Sequence, residues 1–192
     1  MLNNYNDIIR ILPIIRLELF FNKECSFLLR TKLFKKQINI IKNHFCYQFK
    51  LLTCISGVDY PQNLYRFQLV YELLSLKYNS RIRLKILTSE SKPVETIINI
   101  YLSAIWYEVE IWDMFGVFFL NQYHLTRLLT DYGFKGYPLR KDFPLTGFVE
   151  SRYSFPKDNV GYEELELVQE FRNFISLGPW EKLFKMNLST YL

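Results

Sequence analysis

Two periods alternate along the first two-thirds of the chain. Residues 14–21 read IIRLELFF, with Ile15, Leu17 and Leu19 on one side and Arg16 and Glu18 on the other. That alternation predicts a half-buried strand. Residues 5–12 ahead of it read as a short helix stopped by Pro13, and Asn22-Lys23 turns the chain into a second extended stretch, ECSFLLR. A helical period follows. Phe34, Ile38, Ile41 and Phe45 share one side of a helix predicted over 32–45, while Lys32, Lys35, Lys36 and Lys42 hold the other. Thr31 stands where an N-cap belongs.

Extended patterns then return. YQFKLLTCISGV (47–58) predicts a strand ended by Gly57 and the turn residues Asp59 and Pro61. RFQLVYELLSL (66–76) is apolar on both sides, which suits a strand inside a sheet. After a turn at Tyr78-Asn79-Ser80, RIRLKIL places Ile82, Leu84 and Ile86 inward and Arg81, Arg83 and Lys85 outward. Pro93 suits the first turn of a last helix, whose apolar positions run from Val94 through Ile97, Tyr101 and Ile105 to Trp112 and Phe115, with Gly116 as a left-handed stop. The order up to about residue 119 is α-β-β-α-β-β-β-α. It predicts an α+β fold: a small mixed sheet with helices packed on one face.

Beyond about residue 130 the periodicity is lost. DYGFKGYPLRKDFP (131–144) fits neither period, yet carries Tyr132, Phe134, Tyr137 and Phe143. Only YEELELVQEFRNF (162–174) hints at order, with Leu165, Val168 and Phe171 spaced as on a short helix. A stretch this long, aromatic and aperiodic, is neither a domain nor a disordered tail. The expected organisation is a core domain over 1–129 and an extended arm over 130–192, largely irregular, laid on a partner. The rings of 131–144 are expected to pack on that partner and on the edge of the chain's own domain.

Composition sharpens this. Aromatic residues make up 18% of the chain, more surface than a small domain needs to bury. Charge is divided: residues 1–92 carry 15 Lys/Arg against 6 Asp/Glu, and residues 93–192 carry 9 against 13. A basic half admits an acidic partner, a lipid surface or nucleic acid. The three cysteines, Cys25, Cys46 and Cys54, lack CxxC spacing, and the only histidines are His44 and His124. Iron–sulfur and structural zinc sites need closer and more numerous ligands. No apolar run reaches the roughly 20 residues of a membrane helix, and the N-terminus reads as neither a signal nor a transit peptide.

Little else points to catalysis. Glu108, Glu110 and Asp113 are close in sequence but do not share one helix face, so they read as surface charges on a helix packed by Trp106, Trp112 and Phe115. GFKG (133–136) lacks the ending of a phosphate loop. Arg140, Lys141 and Asp142 lie between Pro138 and Pro144, on a backbone suited to directed contacts with a partner.

Three long stretches, RFQLVYELLSLKYNSRIRLKI, YEVEIWDMFGVFF and LLTDYGFKGYPLRKDFPLTGFVESRY, closely resemble the thirty-kilodalton core subunit family of respiratory complex I. The resemblance runs from about Leu51 to Trp180. It implies a peripheral-arm subunit on the matrix side of the mitochondrial inner membrane, organelle-encoded, that holds no flavin, cluster or nicotinamide itself. FMN, iron–sulfur clusters and ubiquinone would belong to other subunits. The implied partners are the forty-nine-kilodalton quinone-site subunit and the neighbouring iron–sulfur subunits. The candidate interface comprises Glu108, Trp112, Asp113 and Phe115, followed by Asp131, Tyr132, Phe134, Tyr137, Arg140, Lys141, Asp142 and Phe143. This chain has Val109 where the family has Arg, and Tyr137 where it has His. The competing expectation is a nucleic-acid-binding module built on a basic, aromatic sheet face.

Overall fold

A computed structural model of the chain describes residues 12–19, 25–172 and 174. The helix expected over 5–12 lies almost wholly outside them. The chain divides into two compact units, Met1–Pro144 and Leu145–Leu192.

The first unit is an α+β fold. Its strands β1 (Ile14–Leu19), β2 (Cys25–Leu29), β3 (Leu51–Asp59), β4 (Phe67–Ser75) and β5 (Ser80–Thr88) form a five-stranded sheet in the order β1-β2-β5-β4-β3. The β2–β5 pair is parallel and the others antiparallel, so the sheet is mixed. Helices α1 (Phe34–Asn43) and α2 (Ala104–Phe115) supply the second layer. Alternation does the sorting: Phe67, Leu69, Tyr71 and Leu73 of β4 and Ile82, Leu84 and Ile86 of β5 are all at most 1% exposed. They join Phe34, Ile38 and Ile41 of α1 and Ile111, Met114 and Phe115 of α2 in one core. Each large apolar side chain fully buried there contributes about 1.5–3 kcal/mol.

The elements depart from their sequence patterns in specific ways. Gly57 does not end β3. It lies within the strand because the Phe115 ring sits where its Cβ would be, 2.7 Å away. Thr31 does not cap α1; its hydroxyl donates to the Leu87 carbonyl at 2.9 Å, and a 3-10 turn at Thr31–Leu33 leads into the helix. The last helix starts at Ala104, not after Pro93. Val94 and Thr96 donate their amides to the carbonyls of Phe118 and Leu120, and the two-residue strands β6 (Val94–Glu95) and β7 (Phe119–Leu120) pair in parallel. Extended backbone is held there from outside, although Val94, Ile97 and Tyr101 still bury their side chains. In β1, Ile15 and Leu17 are exposed at the sheet edge, whereas Glu18 accepts hydrogen bonds from Lys85 (2.5 Å) and Ser26 (3.3 Å).

The second unit contains one antiparallel hairpin, β8 (Val149–Ser154) with β9 (Asn159–Glu164). The helix hinted at by Leu165, Val168 and Phe171 is not formed: β9 runs to Glu164, and residues 165–172 follow without regular structure. No described residue of this unit is buried.

Candidate functional site

The end of the sheet where β3 finishes and β4 begins carries the loop 127–144. Two buried carboxylates hold it. Asp113, on the last turn of α2, is fully buried and takes donors from that loop. The amides of Leu128, Leu129 and Thr130 donate to its Oδ2 at 2.8–3.1 Å, and the Thr130 hydroxyl and Arg127 Nη1 donate to Oδ1 at 2.7 and 2.9 Å. Burial alone would raise its pKa. The donors from Thr130, Arg127 and the amides outweigh burial and hold the carboxyl at about 2. The same Arg127 nitrogen donates to the carbonyls of Asp113 and Gly136, both at 3.0 Å.

The second anchor is Asp59, at the end of β3 and 3% exposed. Arg66 grips it bidentately, Nε to Oδ1 at 2.7 Å and Nη2 to Oδ2 at 3.0 Å, and also reaches Glu90 and Asp142, each at 2.8 Å. The amide of Lys141 donates to Asp59 Oδ2 at 2.9 Å. The Arg66 hydrogen bonds hold Asp59 below the usual carboxylate range, against the opposing effect of burial. Arg140 completes the cluster, donating Nε to the Phe115 carbonyl at 2.7 Å and Nη1 to Glu90 at 3.2 Å.

Between the two anchors lies Tyr137. The Arg140 guanidinium stands 4.4 Å from its ring centre and the Arg127 guanidinium 5.1 Å. Gly116, with φ +75, ends α2 and also clears the seat: a Cβ there would come within 2.6 Å of Arg140 Nη2 and 2.7 Å of the Tyr137 ring. Gly136, at φ +110, makes the same room for Phe143. Phe143 in turn lies 6.0 Å from Phe134.

The expected interface residues therefore divide. Glu108, Asp113 and Phe115 are buried inside the first unit and offer no surface. Glu108 accepts from the Thr96 hydroxyl (2.5 Å) and the Ile97 amide (2.9 Å); burial drives its pKa up to about 7 despite those bonds. Trp112 is half-buried, with Arg127 5.3 Å from its ring. Phe134, Tyr137, Arg140 and Phe143 are half-buried within their own loop, and Arg140 donates to the Phe115 carbonyl and Glu90 inside the chain. Lys141 and Asp142 are exposed yet anchored, through the Lys141 amide and the Asp142 carboxylate. Asp131 is exposed and accepts the Tyr132 amide at 2.8 Å. Tyr132 projects, 97% exposed, with Tyr123, Leu129 and Leu139 also in solvent. The sequence pattern does not reveal Asp59 (which reads as a turn residue), Arg66, Glu90 or Arg127. Their partners lie up to 82 positions away, so no local pattern marks them.

The outer face of the five-stranded sheet does not fit nucleic acid. Phe27, Phe67 and Tyr71 are on the covered face, at most 1% exposed. On the open face Lys85 pairs with Glu18 and Arg83 with Glu72. No ring stands ready to stack a base, and these cations already meet carboxylates. Among the described residues no three His, Cys, Asp or Glu side chains group as metal ligands, and no helix is long and apolar enough to cross a membrane.

The hairpin of the second unit has the opposite surface. Phe148, Val149, Tyr153, Phe155, Val160 and Tyr162 are 44–87% exposed, and Val168 and Phe171 beyond it are exposed too. Ladder hydrogen bonds and the Leu165 amide on the Phe148 carbonyl order a strip of apolar side chains that nothing within the unit covers.

Residues 28–149 match the family model of the respiratory-chain NADH dehydrogenase 30 kDa subunit. The chain is similar to NADH-ubiquinone oxidoreductase subunit 9 of Reclinomonas americana, with 50% identity over 76% of this chain and 72% of the relative. The protein of the same name from Prototheca wickerhamii is 46% identical over 86% of each chain. NADH dehydrogenase [ubiquinone] iron-sulfur protein 3 of Beta trigyna is 51% identical, over 74% of each chain. Among solved structures, a chain of an archaeal membrane-bound sulfane sulfur reductase, a respiratory membrane complex, superposes with a TM-score of 0.63 at 25% identity, covering 73% of this chain and 84% of that one.

Proposed function

The chain belongs to the respiratory-chain NADH dehydrogenase 30 kDa subunit family and is a subunit of complex I, and from that premise we propose that it works as a cofactor-free scaffold of the peripheral arm. In this reading it holds the quinone-reducing module together while other subunits carry the flavin, the clusters and ubiquinone. Its partners are the forty-nine-kilodalton quinone-site subunit and the adjacent iron–sulfur subunits. It sits on the matrix side of the mitochondrial inner membrane and is encoded in the organelle.

One observation carries the scaffold reading: residues 145–172 form a hydrogen-bonded hairpin and tail in which no side chain is buried. A lone two-stranded hairpin is marginal in water, so one with this much exposed aromatic surface gains its stability from a neighbour. The pinned loop 127–144 plays the complementary part. Its two carboxylate anchors preset the backbone, so little conformational entropy remains to be lost on docking. The cysteines agree with a cofactor-free chain: Cys25 is buried in β2, Cys54 lies on β3 with two strands between them, and Cys46 is exposed in a loop.

Hydrogen exchange on the isolated chain and on the intact complex tests this. Amides of β8 and β9 should exchange freely in the first and be protected in the second, with no flavin or cluster absorbance from the isolated chain. Equal protection in both states, or a stoichiometric chromophore, would overturn the reading.

A further inference from the structure

The opposite end of the same sheet carries a second surface with different chemistry. It is built by the α1–β3 connection and the β4–β5 turn. β4 is nine residues long, which sets this end roughly 26 Å from the Arg66–Asp59 cluster. Phe45 is 76% exposed and Leu76 72%, with Leu51 and Tyr78 also exposed. They are drawn together: the Tyr78 hydroxyl donates to the Phe45 carbonyl at 3.0 Å, and Lys77 Nζ lies 5.4 Å from the Phe45 ring and 5.3 Å from the Tyr78 ring. Leu51 pairs with Leu74, which pairs with Arg81, and Lys50 precedes Leu51 in the exposed backbone.

The charge around these side chains has one sign. No Asp or Glu occurs between residues 25 and 58, or between 73 and 89, the two segments that build this end. The nearest carboxylate along β4, Glu72, is held by Arg83. The basic excess of the N-terminal half thus has a local meaning here: exposed apolar side chains at this end of the sheet are accompanied by Lys50, Lys77 and Arg81.

We propose that this end is a second docking surface, and that its occupant is an acidic segment of another protein of the complex, bearing an apolar anchor residue. The apolar patch seats the anchor, and the lysines meet carboxylates at its rim. Nucleic acid fits less well, because Lys77 lies over both rings and competes for the faces on which a base would stack. The inference rests on membership of the multisubunit complex but concerns a surface remote from the pinned loop.

The test uses the intact complex. A zero-length carbodiimide couples an amine only to a carboxylate in direct contact. Lys50 or Lys77 should be recovered linked to an Asp or Glu of another subunit. Both should also lose reactivity towards a light acetylating reagent in the native complex, and regain it towards the heavy reagent after denaturation. The charge reversals Lys50→Glu and Lys77→Glu, made together in the full chain, should abolish the link. Full native labelling of both lysines in a chain that co-purifies with the complex would overturn this inference alone. So would links confined to this chain's own carboxylates, or protection removed by nuclease or by delipidation. Failure of the chain to co-purify would instead strike the partner assignments made above.

Discussion

The two units solve the same problem in opposite ways. Residues up to Pro144 enclose their own core, with aromatic rings such as Phe27, Phe34, Phe67 and Tyr71 at most 1% exposed. Residues 145–172 are just as rich in rings and yet bury none of them. A covering layer is the difference. In β4 and β5 every second residue is apolar, so one face can be covered. β8 and β9 alternate too, with Val149, Tyr153, Val160 and Tyr162 on one face and Glu150, Arg152 and Glu163 on the other, but no described element of their unit covers the apolar face. Exposed rings in the first unit are a surplus left by a finished fold. In the second they are the fold's unfinished part.

The strongest challenge to this contrast is Asp113→Ala. It leaves the Thr130 hydroxyl and three loop amides without their acceptor and removes the carboxylate partner of Arg127, and should lower the stability of the first unit by about 3–5 kcal/mol. Thermal unfolding of the isolated chain would show it, while exchange of the β8 and β9 amides should not change.

Titration gives the next effect. Glu108 has a folded-state pKa of about 7 against an ordinary value of 4.5. A raised carboxyl pKa means that the folded state holds the proton longer than the unfolded state. The stability this group contributes is therefore fully present below its unfolded pKa and lost as pH rises through about 7, a fall of roughly 3 kcal/mol. Melting temperatures measured from pH 5 to 8 should decline for the natural chain and stay flat for Glu108→Gln. A parallel decline in both would show that another group is responsible.

Arg140→Ala should cost about 2–3 kcal/mol, through the lost bonds to the Phe115 carbonyl and Glu90 and the lost stacking on Tyr137. Because the contacts are internal, the effect should appear in the isolated chain as well as in reduced assembly. Normal stability with failed assembly would place the principal contact of Arg140 on a partner instead. The smallest expected effect is in the hairpin: Val160→Ser with Tyr162→Ser should change the melting of the isolated chain by less than about 0.5 kcal/mol, yet lower the amount of assembled complex. A large loss in the isolated chain would erase the distinction between the units.

Where the period is unbroken the sequence is a sound guide. The strands at 67–75 and 80–88, the buried Phe34, Ile38 and Ile41, and the left-handed Gly116 follow directly from pattern and stereochemistry. It misleads where a distant group overrides local preference. Val94–Tyr101 carries helical spacing, but Phe118 and Leu120 offer carbonyls that hold its start extended. Glu108 and Asp113 look like surface charges because their partners, Thr96 and the loop after Arg127, are recognisable only after folding. For the same reason the loop 131–144 reads as an arm, although its ties to Asp59, Phe115 and Met114 place it in the first unit.

The Asp113 clamp has a consequence for how this surface evolves. Three of its five donors are main-chain amides, those of Leu128, Leu129 and Thr130, and an amide is the same whatever side chain follows it. The helix dictates where positions 128 and 129 stand but not which residues stand there, and Leu129 is left 63% exposed. The side chains at those positions can thus change without disturbing the fold that presents them. The heritable constraint falls on Asp113 and on the two side chains that donate to it, Arg127 and Thr130, and variation is released to the exposed positions between them.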